Sequence, residues 1–364
     1  MIYVTKIYMP DREKFKSYID GIYESGWLTN NGPLVQELEK KLEDFLGVKN
    51  LLCLSSGTDA LQFAYRLLEE EDKEVITTPF SFVSTVSAIA AERLTPVFAD
   101  IDKDTYNMDP KNIERLINEK TCAIAPCHVF GNACEIDEID SIAKKHDLKV
   151  IYDASHAFDV EYKGKHILGY GDMSIISFHA TKMFHTVEGG AIVIKDDALY
   201  EKAKVVRNYG IDAPDSVSML GVNSKLNEVG AAMGLCMLEE EDIIHKERKK
   251  SHEFYTRKLK EFVQLQQNNP SADQSYSYFP VVFDDENEMD QVRTALFEKG
   301  VAARQYFKPS LDTLPYVNCS EVMENSRDIA SRILVIPMHS GVEPMVAETI
   351  IDTLSNMRTY EQAS

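Results

Sequence analysis

Between residues 50 and 200, short apolar runs alternate with stretches of helical pattern, and this alternation constrains the fold more than any other feature of the chain. The runs are LLCLS (51–55), EVITT (74–78), TPVFADI (95–101), TCAIAPCHV (121–129), LKVIYDA (148–154), MSIISF (173–178) and GAIVIKD (190–196). Helical pattern fills GTDALQFAYRLLEEE (57–71) and the segments near 81–93, 110–118 and 135–146. Strands that are apolar throughout, not at every second residue, are buried on both faces, and strands separated by helices pair in parallel. The chain therefore reads as α/β, with a mostly parallel central sheet flanked by helices.

A long helical region follows over roughly 225–262, carrying the mixed charge run LEEEDIIHKERKKSHEF, which reads as a solvated helix face. After QNNPSADQ the pattern changes to SYSYFPVVF, a helix near 287–299, ILVIPMH and a terminal helix. This is the pattern of a smaller α+β unit. The expected division is a large domain over 1–240 and a small C-terminal domain over 241–364. A length of 364 residues agrees with two units rather than one core.

Charge excludes several function classes. The chain has 39 Lys and Arg against 59 Asp and Glu, a formal net charge of -20. A field of that sign repels nucleic acid and anionic membranes, so neither is expected as a partner. No apolar run reaches the length of a membrane span, and the N-terminal stretch meets charge too early for a signal peptide. The six cysteines show no CxxC or Cys/His metal spacing, so no metal is expected; Cys122, Cys127 and Cys134 read as strand and loop thiols. A cytoplasmic setting is the simplest that fits.

Sites in a parallel sheet form beyond the carboxyl ends of its strands, so the polar residues that follow each strand are the candidates. Ser55-Ser56-Gly57-Thr58 opens a helix and offers backbone N–H groups at the positive end of its dipole, a phosphate cradle. Ser and Thr are also ordinary helix caps. Neither GxGxxG nor GxxxxGK[ST] is present. Phe82, in Pro79-Phe80-Ser81-Phe82, is placed to lie on a planar ring or to fill the core. Asp153 ends an apolar strand, where an unpaired carboxylate is costly, and His156 follows three residues later. Lys182 sits in SFHATKMFHTVEGGAIVI (177–194), a polar connection between two strands, where a solvated lysine is the ordinary reading. A cradle, a flat aromatic, an acid and an amine are the four things that pyridoxal 5′-phosphate needs: donors for the phosphate, a stacking face, a partner for the protonated ring nitrogen, and a lysine for the Schiff base.

With these residues in view, the sequence resembles the DegT/DnrJ/EryC1/StrS sugar aminotransferases, which have the type I, aspartate-aminotransferase-like fold. The resemblance spans nearly the whole chain: GWLTNNGPLVQELEKKL, SSGTDAL, TPFSFVST, HVFGNACEID, YDASHAF, SFHATKMFHTVEGG, RNYG, GVNSKLNEVGAAMG, ARQYFKP and ILVIPMH match family blocks in order. It implies that Lys182 forms the Schiff base with the cofactor and Asp153 pairs with the ring nitrogen. It places His156 near the ring hydroxyl and Phe82 on the ring face, with Ser56, Gly57, Thr58 and Ser177 at the phosphate. Asn223 resembles an asparagine that reaches the phosphate from a partner subunit, implying a homodimer with shared sites.

Lys225, Arg304 and Lys308 are candidates for a sugar diphosphate by block position, each equally readable as a surface cation. Trp27, His185 and Tyr306 are candidates for the sugar or base pocket, Trp27 being equally readable as core. The chain departs from the family pattern at Lys225, usually Arg, at Val187, often Gly, and at His185, often Thr. The forms of the Lys182 and Asp153 blocks look closest to members that aminate C4 of dTDP-4-keto-6-deoxyglucose. Lys182 argues against the branch in which histidine replaces the lysine. The implied reaction passes through pyridoxamine 5′-phosphate, uses L-glutamate as amino donor and a nucleotide-linked keto sugar as acceptor, and serves deoxyamino-sugar synthesis for a surface glycan such as lipopolysaccharide O-antigen. The rivals are C3 amination or a UDP- or GDP-linked sugar, a non-catalytic PLP-binding regulator, and a Rossmann-like oxidoreductase, which the missing glycine fingerprint disfavours.

Overall fold

The computed structural model describes residues 1–339 and 341–363. Strand β1 (Ile2–Tyr3) is followed by helices α1 (Arg12–Ser25) and α2 (Pro33–Leu46). Then come β2 (Leu51–Leu54), α3 (Gly57–Leu67), β3 (Glu74–Thr77), α4 (Ser84–Ala91), β4 (Thr95–Phe98), β5 (Thr121–Ala125), α5 (Ile136–His146) and β6 (Lys149–Asp153). A short hairpin, β7 (Glu161–Tyr162) and β8 (Lys165–His166), precedes β9 (Met173–Ser177), β10 (Gly190–Ile194) and α6 (Asp197–Arg207).

The seven main strands form one sheet in the order β2-β10-β9-β6-β5-β3-β4. All neighbouring pairs are parallel except those made by β10, which runs antiparallel to both β2 and β9. Each expected strand of the 50–200 region is present. Alternate residues of each strand enter opposite cores. Leu51, Cys53, Val150, Tyr152, Ala191 and Val193 pack on one face with α2 and α5 residues such as Leu38, Leu42 and Ile139. Leu52, Leu54, Ile151, Ile192 and Ile194 pack on the other with Leu61 and Ala64 of α3, Ala88 of α4 and Ala203 of α6. Burial on both sides is why these strands are apolar at every position.

Two expectations change. The helix near 110–118 is two separate 3₁₀ turns, Pro110–Asn112 and Glu114–Leu116. The long helix expected over 225–262 is two helices, α7 (Glu228–Glu239) and α8 (Glu241–Leu259), which follow a second small hairpin, β11 (Ile211–Ala213) and β12 (Ser216–Val217). At the break, Glu240 leaves helical geometry (φ -107°, ψ 8°), and its carboxylate accepts from Tyr8 Oη at 2.6 Å and Asp11 N at 2.8 Å. The α7 helix also completes α2. The N-cap of α2, Gly32, has no side chain to cap it, and buried Glu228 accepts from Leu34 N (2.9 Å) and Val35 N (3.0 Å) instead.

The remainder comprises β13 (Gln264–Leu265), β14 (Phe279–Val282), α9 (Glu286–Glu298), β15 (Val301–Ala302), α10 (Glu324–Arg332), β16 (Ile333–Ile336) and α11 (Glu343–Ala363). The antiparallel sheet β13-β14-β16 packs on α8, α9 and α11 through Tyr255, Leu259, Val281, Met289, Val292, Leu334 and Ile350. β1 pairs in parallel with β15, so the first residues of the chain join this C-terminal layer rather than the large sheet. A separate apolar cluster forms the seam between the two layers: Phe80, Tyr106, Cys127 and Phe130 meet Tyr278, Phe307, Ile333 and Val335.

Candidate active site

A cavity of about 310 Å³ opens along that seam, beyond the carboxyl ends of β2, β3, β6 and β9. Lys182, Asp153, Ser56, Gly57, Thr58, Phe82, His156, Ser177, Arg304 and Tyr306 all line it. A larger groove of about 550 Å³ lies near the amino ends of β2 and β9, lined by glycines and by charged residues such as Lys49 and Asp172.

The cradle follows from two close backbone approaches. The N-cap of α3 is Ser56, whose Oγ accepts from Asp59 N at 3.0 Å. The amides of Gly57 and Thr58, in the first turn, have no acceptor inside the helix. A Cβ on Gly57 would stand 2.7 Å from Ser177 Cβ, so β9 and α3 meet only because residue 57 lacks one. A Cβ on Gly190 would stand 2.6 Å from Ser56 O, so the return strand passes under the cradle for the same reason.

The carboxylate of Asp153 lies at the floor. Its Oδ1 accepts from Ser155 N at 2.9 Å. Burial pushes its pKa up, and the Ser155 donors and the charge of Lys182 oppose that shift. His156, three residues on, lies nearly parallel to Phe130 and Phe307, with interplanar angles of 8° and 3° and centroid distances of 6.2 and 6.1 Å, the two phenylalanines themselves stacking at 5.5 Å. Burial and the neighbouring Lys182 charge hold its pKa well below the usual value, so the ring is neutral. Its Nδ1 is buried without a hydrogen-bond partner among the described residues. Beneath the floor, His128 N donates to Asp153 O and Asp153 N to Pro126 O, tying β5 to β6 where the acid emerges.

The Lys182 connection is ordered by its own backbone: Phe178 N donates to Gly189 O, Ala180 N to Val187 O, Lys182 N to His179 O and Thr186 N to Phe178 O. Met183 and Phe184, next to the lysine, are buried, and Phe184 stacks on Phe158 at 4.6 Å. The amine itself reaches the Tyr278 hydroxyl at 3.5 Å. Lys182 is therefore a lysine held in a cavity, and the solvated-loop reading fails. Of the two phenylalanines in the PFSF turn, Phe80 is the core residue, while Phe82 is 53% exposed at the cavity wall.

Five other candidates lie elsewhere. His185 is buried away from the cavity, where its Nε2 pairs with Tyr8 O at 2.9 Å. It latches the Lys182 connection to the N-terminal segment and lines no sugar pocket in its own chain. Lys308 pairs with Glu286 on the surface at 2.8 Å. Lys225 Nζ lies 4.4 Å from the Tyr209 ring centroid and donates to Asn208 Oδ1. Trp27 is 49% exposed, not core, and its Nε1 donates to Thr29 O. Asn223 is exposed, with its backbone bridged to Asn208, and is not in its own chain's cavity.

The cavity also holds residues that the motifs did not single out: Ser81, Cys127, Ser155, His179, Glu188, Tyr278 and Phe307. His179 and Glu188 sit inside the Lys182 block and could have been taken from it. Phe307 follows Tyr306 in ARQYFKP. Tyr278 carried no signal beyond preceding a strand.

The profile of the DegT/DnrJ/EryC1/StrS aminotransferase family matches residues 10–355. The chain belongs to that family. A dTDP-4-amino-4,6-dideoxy-D-glucose transaminase from Shigella dysenteriae is 40% identical over 98% of this chain and 99% of its own length. One of the same name from Escherichia coli is 36% identical over 96% and 97%. The solved structure of DesI, determined in the presence of its TDP-sugar product, matches with a TM-score of 0.90 at 28% identity, covering 99% of this chain and 95% of that one.

Family members are PLP-dependent enzymes, so this chain is a PLP-dependent aminotransferase. The cavity suits that cofactor on its own evidence. It offers two first-turn amides at a glycine-narrowed helix start, a buried carboxylate in want of a cationic partner, an orphaned imidazole nitrogen, an exposed flat ring and one amine. No helix among the described residues is long and apolar enough to cross a membrane, and no group of three or more His, Cys, Asp or Glu among them could hold a metal ion.

Proposed function

We propose that this enzyme moves the amino group of L-glutamate to C4 of dTDP-4-keto-6-deoxy-D-glucose, in the cytoplasm, toward a deoxyamino sugar for a surface glycan. The observation that carries the reading is the convergence of Lys182 and Asp153 in one cavity, in a chain 40% identical over nearly its full length to a transaminase named for that product.

Pyridoxal phosphate, when bound, supplies an aldehyde carbon that condenses with amines and a ring that draws electrons from the carbon next to the nitrogen. Gly57 and Thr58 amides, with the Ser56 and Ser177 hydroxyls, bind its phosphate. Phe82 covers one ring face. Asp153 holds the proton of the ring nitrogen, which keeps the electron demand high, and the burial that pushes its own pKa up is offset by that cation. His156, kept neutral by burial, offers Nδ1 to the ring hydroxyl.

Lys182 Nζ would be the group that holds the cofactor's aldehyde carbon, and it would be free to act as a base when a donor amine takes that place. The free Lys182 amine would take the proton from the donor α-carbon and hold it for its return. Water would release the α-keto acid by hydrolysis with the amino nitrogen retained, and the same residues would serve the reverse sequence on the keto sugar. Arg304, exposed at the cavity mouth with its guanidinium 4.5 Å from the Tyr306 ring centroid, is the cation best placed for the sugar diphosphate.

The working unit in this reading is a homodimer. Asn223 lies outside its own cavity, as a group serving a partner's phosphate site would, and Trp27, Leu28, Val187, Tyr209, Leu220 and Val229 are exposed apolar residues available for burial. Sedimentation should give a dimer mass. The deciding test is a panel of dTDP-, UDP- and GDP-linked 4-keto and 3-keto sugars with glutamate, with product regiochemistry read by NMR. Amination at C3 or a preference for another nucleotide refutes the substrate. Lys182→Ala should leave no cofactor trapped by borohydride and abolish turnover, and full activity in that variant refutes the site.

A further inference from the structure

Tyr278, which no motif singled out, stands immediately before β14 and enters the cavity from the C-terminal layer, opposite the strand ends. Lys182 Nζ donates toward its hydroxyl at 3.5 Å and lies 5.6 Å from its ring centroid. Among the described residues, the amine is the only hydrogen-bond partner of that hydroxyl.

The tyrosine is fixed by its neighbours. Tyr278 is buried, packs edge-on against His156 at 4.8 Å, and meets Tyr306 at 6.1 Å with an interplanar angle of 88°. Its neighbour Ser277 is anchored twice: Ser277 Oγ donates to His156 O at 2.6 Å, and Arg248 Nη1 donates to Ser277 O at 3.0 Å. The phenol is thus a rigid station, tied by hydrogen bonds to the loop that carries His156. The lysine reaches it on a four-carbon stem with freedom to occupy other positions.

We propose that Tyr278 is a positioning residue for the Lys182 amine. This deepens the reading of Lys182 above and rests on it. When the amine is released, one of its N–H bonds points at the phenol oxygen. For a neutral amine that leaves the lone pair directed into the cavity, where the α-proton is taken. For the ammonium, the phenol oxygen favours the charge, so the same contact holds the lysine after it has gained the proton. No covalent bond to Tyr278 forms; its hydroxyl accepts throughout, and the proton travels only on Lys182 Nζ.

The test uses Tyr278→Phe, which keeps the ring, with Tyr278→Leu as the larger deletion and Lys182→Ala as the reference for the site itself. The first readout is the glutamate half-reaction of the loaded enzyme in a single turnover, with α-protio and α-deuterio donor. The second is independent of cofactor: the pH dependence of trinitrobenzenesulfonate labelling at Lys182 in the cofactor-free protein, read by peptide mass. Tyr278→Phe is expected to slow the half-reaction about tenfold, the effect of one oriented hydrogen bond, with a larger isotope effect and KM within about twofold. The labelling midpoint moves to lower pH, and further in Tyr278→Leu.

A Tyr278→Phe enzyme with an unchanged half-reaction rate and labelling midpoint overturns the proposal, whatever Tyr278→Leu does to folding. A loss of rate carried wholly by KM also overturns it, because it assigns Tyr278 to substrate binding. If Lys182→Ala keeps full half-reaction rate, the reading of the lysine has failed, and that outcome is separate from any change at Tyr278.

Discussion

Acid should unfold this protein partly through one imidazole under the active site. His128 is fully buried, stacks on Tyr152 at 4.8 Å and accepts from Cys134 N through Nδ1 at 3.0 Å, while its Nε2 has no partner among the described residues. Burial pushes its pKa from the ordinary 6.5 down to about 3. Below pH 6.5 the unfolded chain takes up a proton that the folded chain refuses, so stability falls as pH falls, until the folded pKa is reached. Each pH unit inside that window costs about 1.4 kcal/mol, so this group alone removes about 2 kcal/mol at pH 5 and about 3 kcal/mol at pH 4.

His128→Phe deletes the titration. It leaves the buried Cys134 N–H without its acceptor but also removes the orphaned Nε2, so at pH 7 the variant should lie within about 2 kcal/mol of the parent. Urea unfolding at pH 7, 6, 5 and 4 measures both curves. The variant should lose less stability over that range, closing on or overtaking the parent by pH 4. Other imidazoles with depressed pKa values, such as His252 at about 4, are present in both proteins and cancel in the difference. Parallel curves for parent and variant across the range would show that His128 is protonated in the folded state or not buried, and the reasoning would fail.

Three other perturbations bear on the site and its scaffold. Gly57→Ala puts a Cβ 2.7 Å from Ser177 Cβ, so the cradle must open; PLP affinity measured by fluorescence titration should drop at least tenfold with the fold retained by circular dichroism. Val187 is a β-branched residue at φ 69°, which costs ~1–2 kcal/mol; Val187→Gly relieves it, less ~0.4–1 kcal/mol for the freer unfolded chain, so a small gain of about 0.5 kcal/mol in the urea midpoint is expected. Glu228→Ala strands the amides of Leu34 and Val35 at the start of α2 and should destabilise by about 2–4 kcal/mol, whereas Glu228→Gln, keeping one acceptor oxygen, should cost less.

Some expectations were decided by partners far away in the chain. The helix expected at 110–118 is an exception, settled locally: Asp109 and Pro110 start a turn, but the chain makes only two 3₁₀ turns before Ile117 is extended (φ -71°, ψ 130°). The long helix breaks at Glu240, whose carboxylate is held by Tyr8 and Asp11. His185 was a candidate for the sugar or base pocket, yet Tyr8 O, 177 positions away, takes its imidazole. Tyr278 reaches Lys182 across 96 positions, and a tyrosine before a short strand has no local mark of that meeting.

The amino-acid sequence by itself determined the parallel sheet and the half of the site that the sheet carries. Strands buried on both faces must be apolar throughout, and the residues just past them must share one edge. Lys182, Asp153, Phe82 and the Ser56-Gly57-Thr58 turn were therefore legible as a group before any coordinates. Of the opposite wall, Arg304 and Tyr306 were candidates from a family block, and only the tertiary structure decided the rest. The C-terminal layer folds back over the strand ends, and the phenol that meets the amine belongs to it. Which side chains of one layer face another depends on how the layers dock, and no periodicity along the chain encodes that.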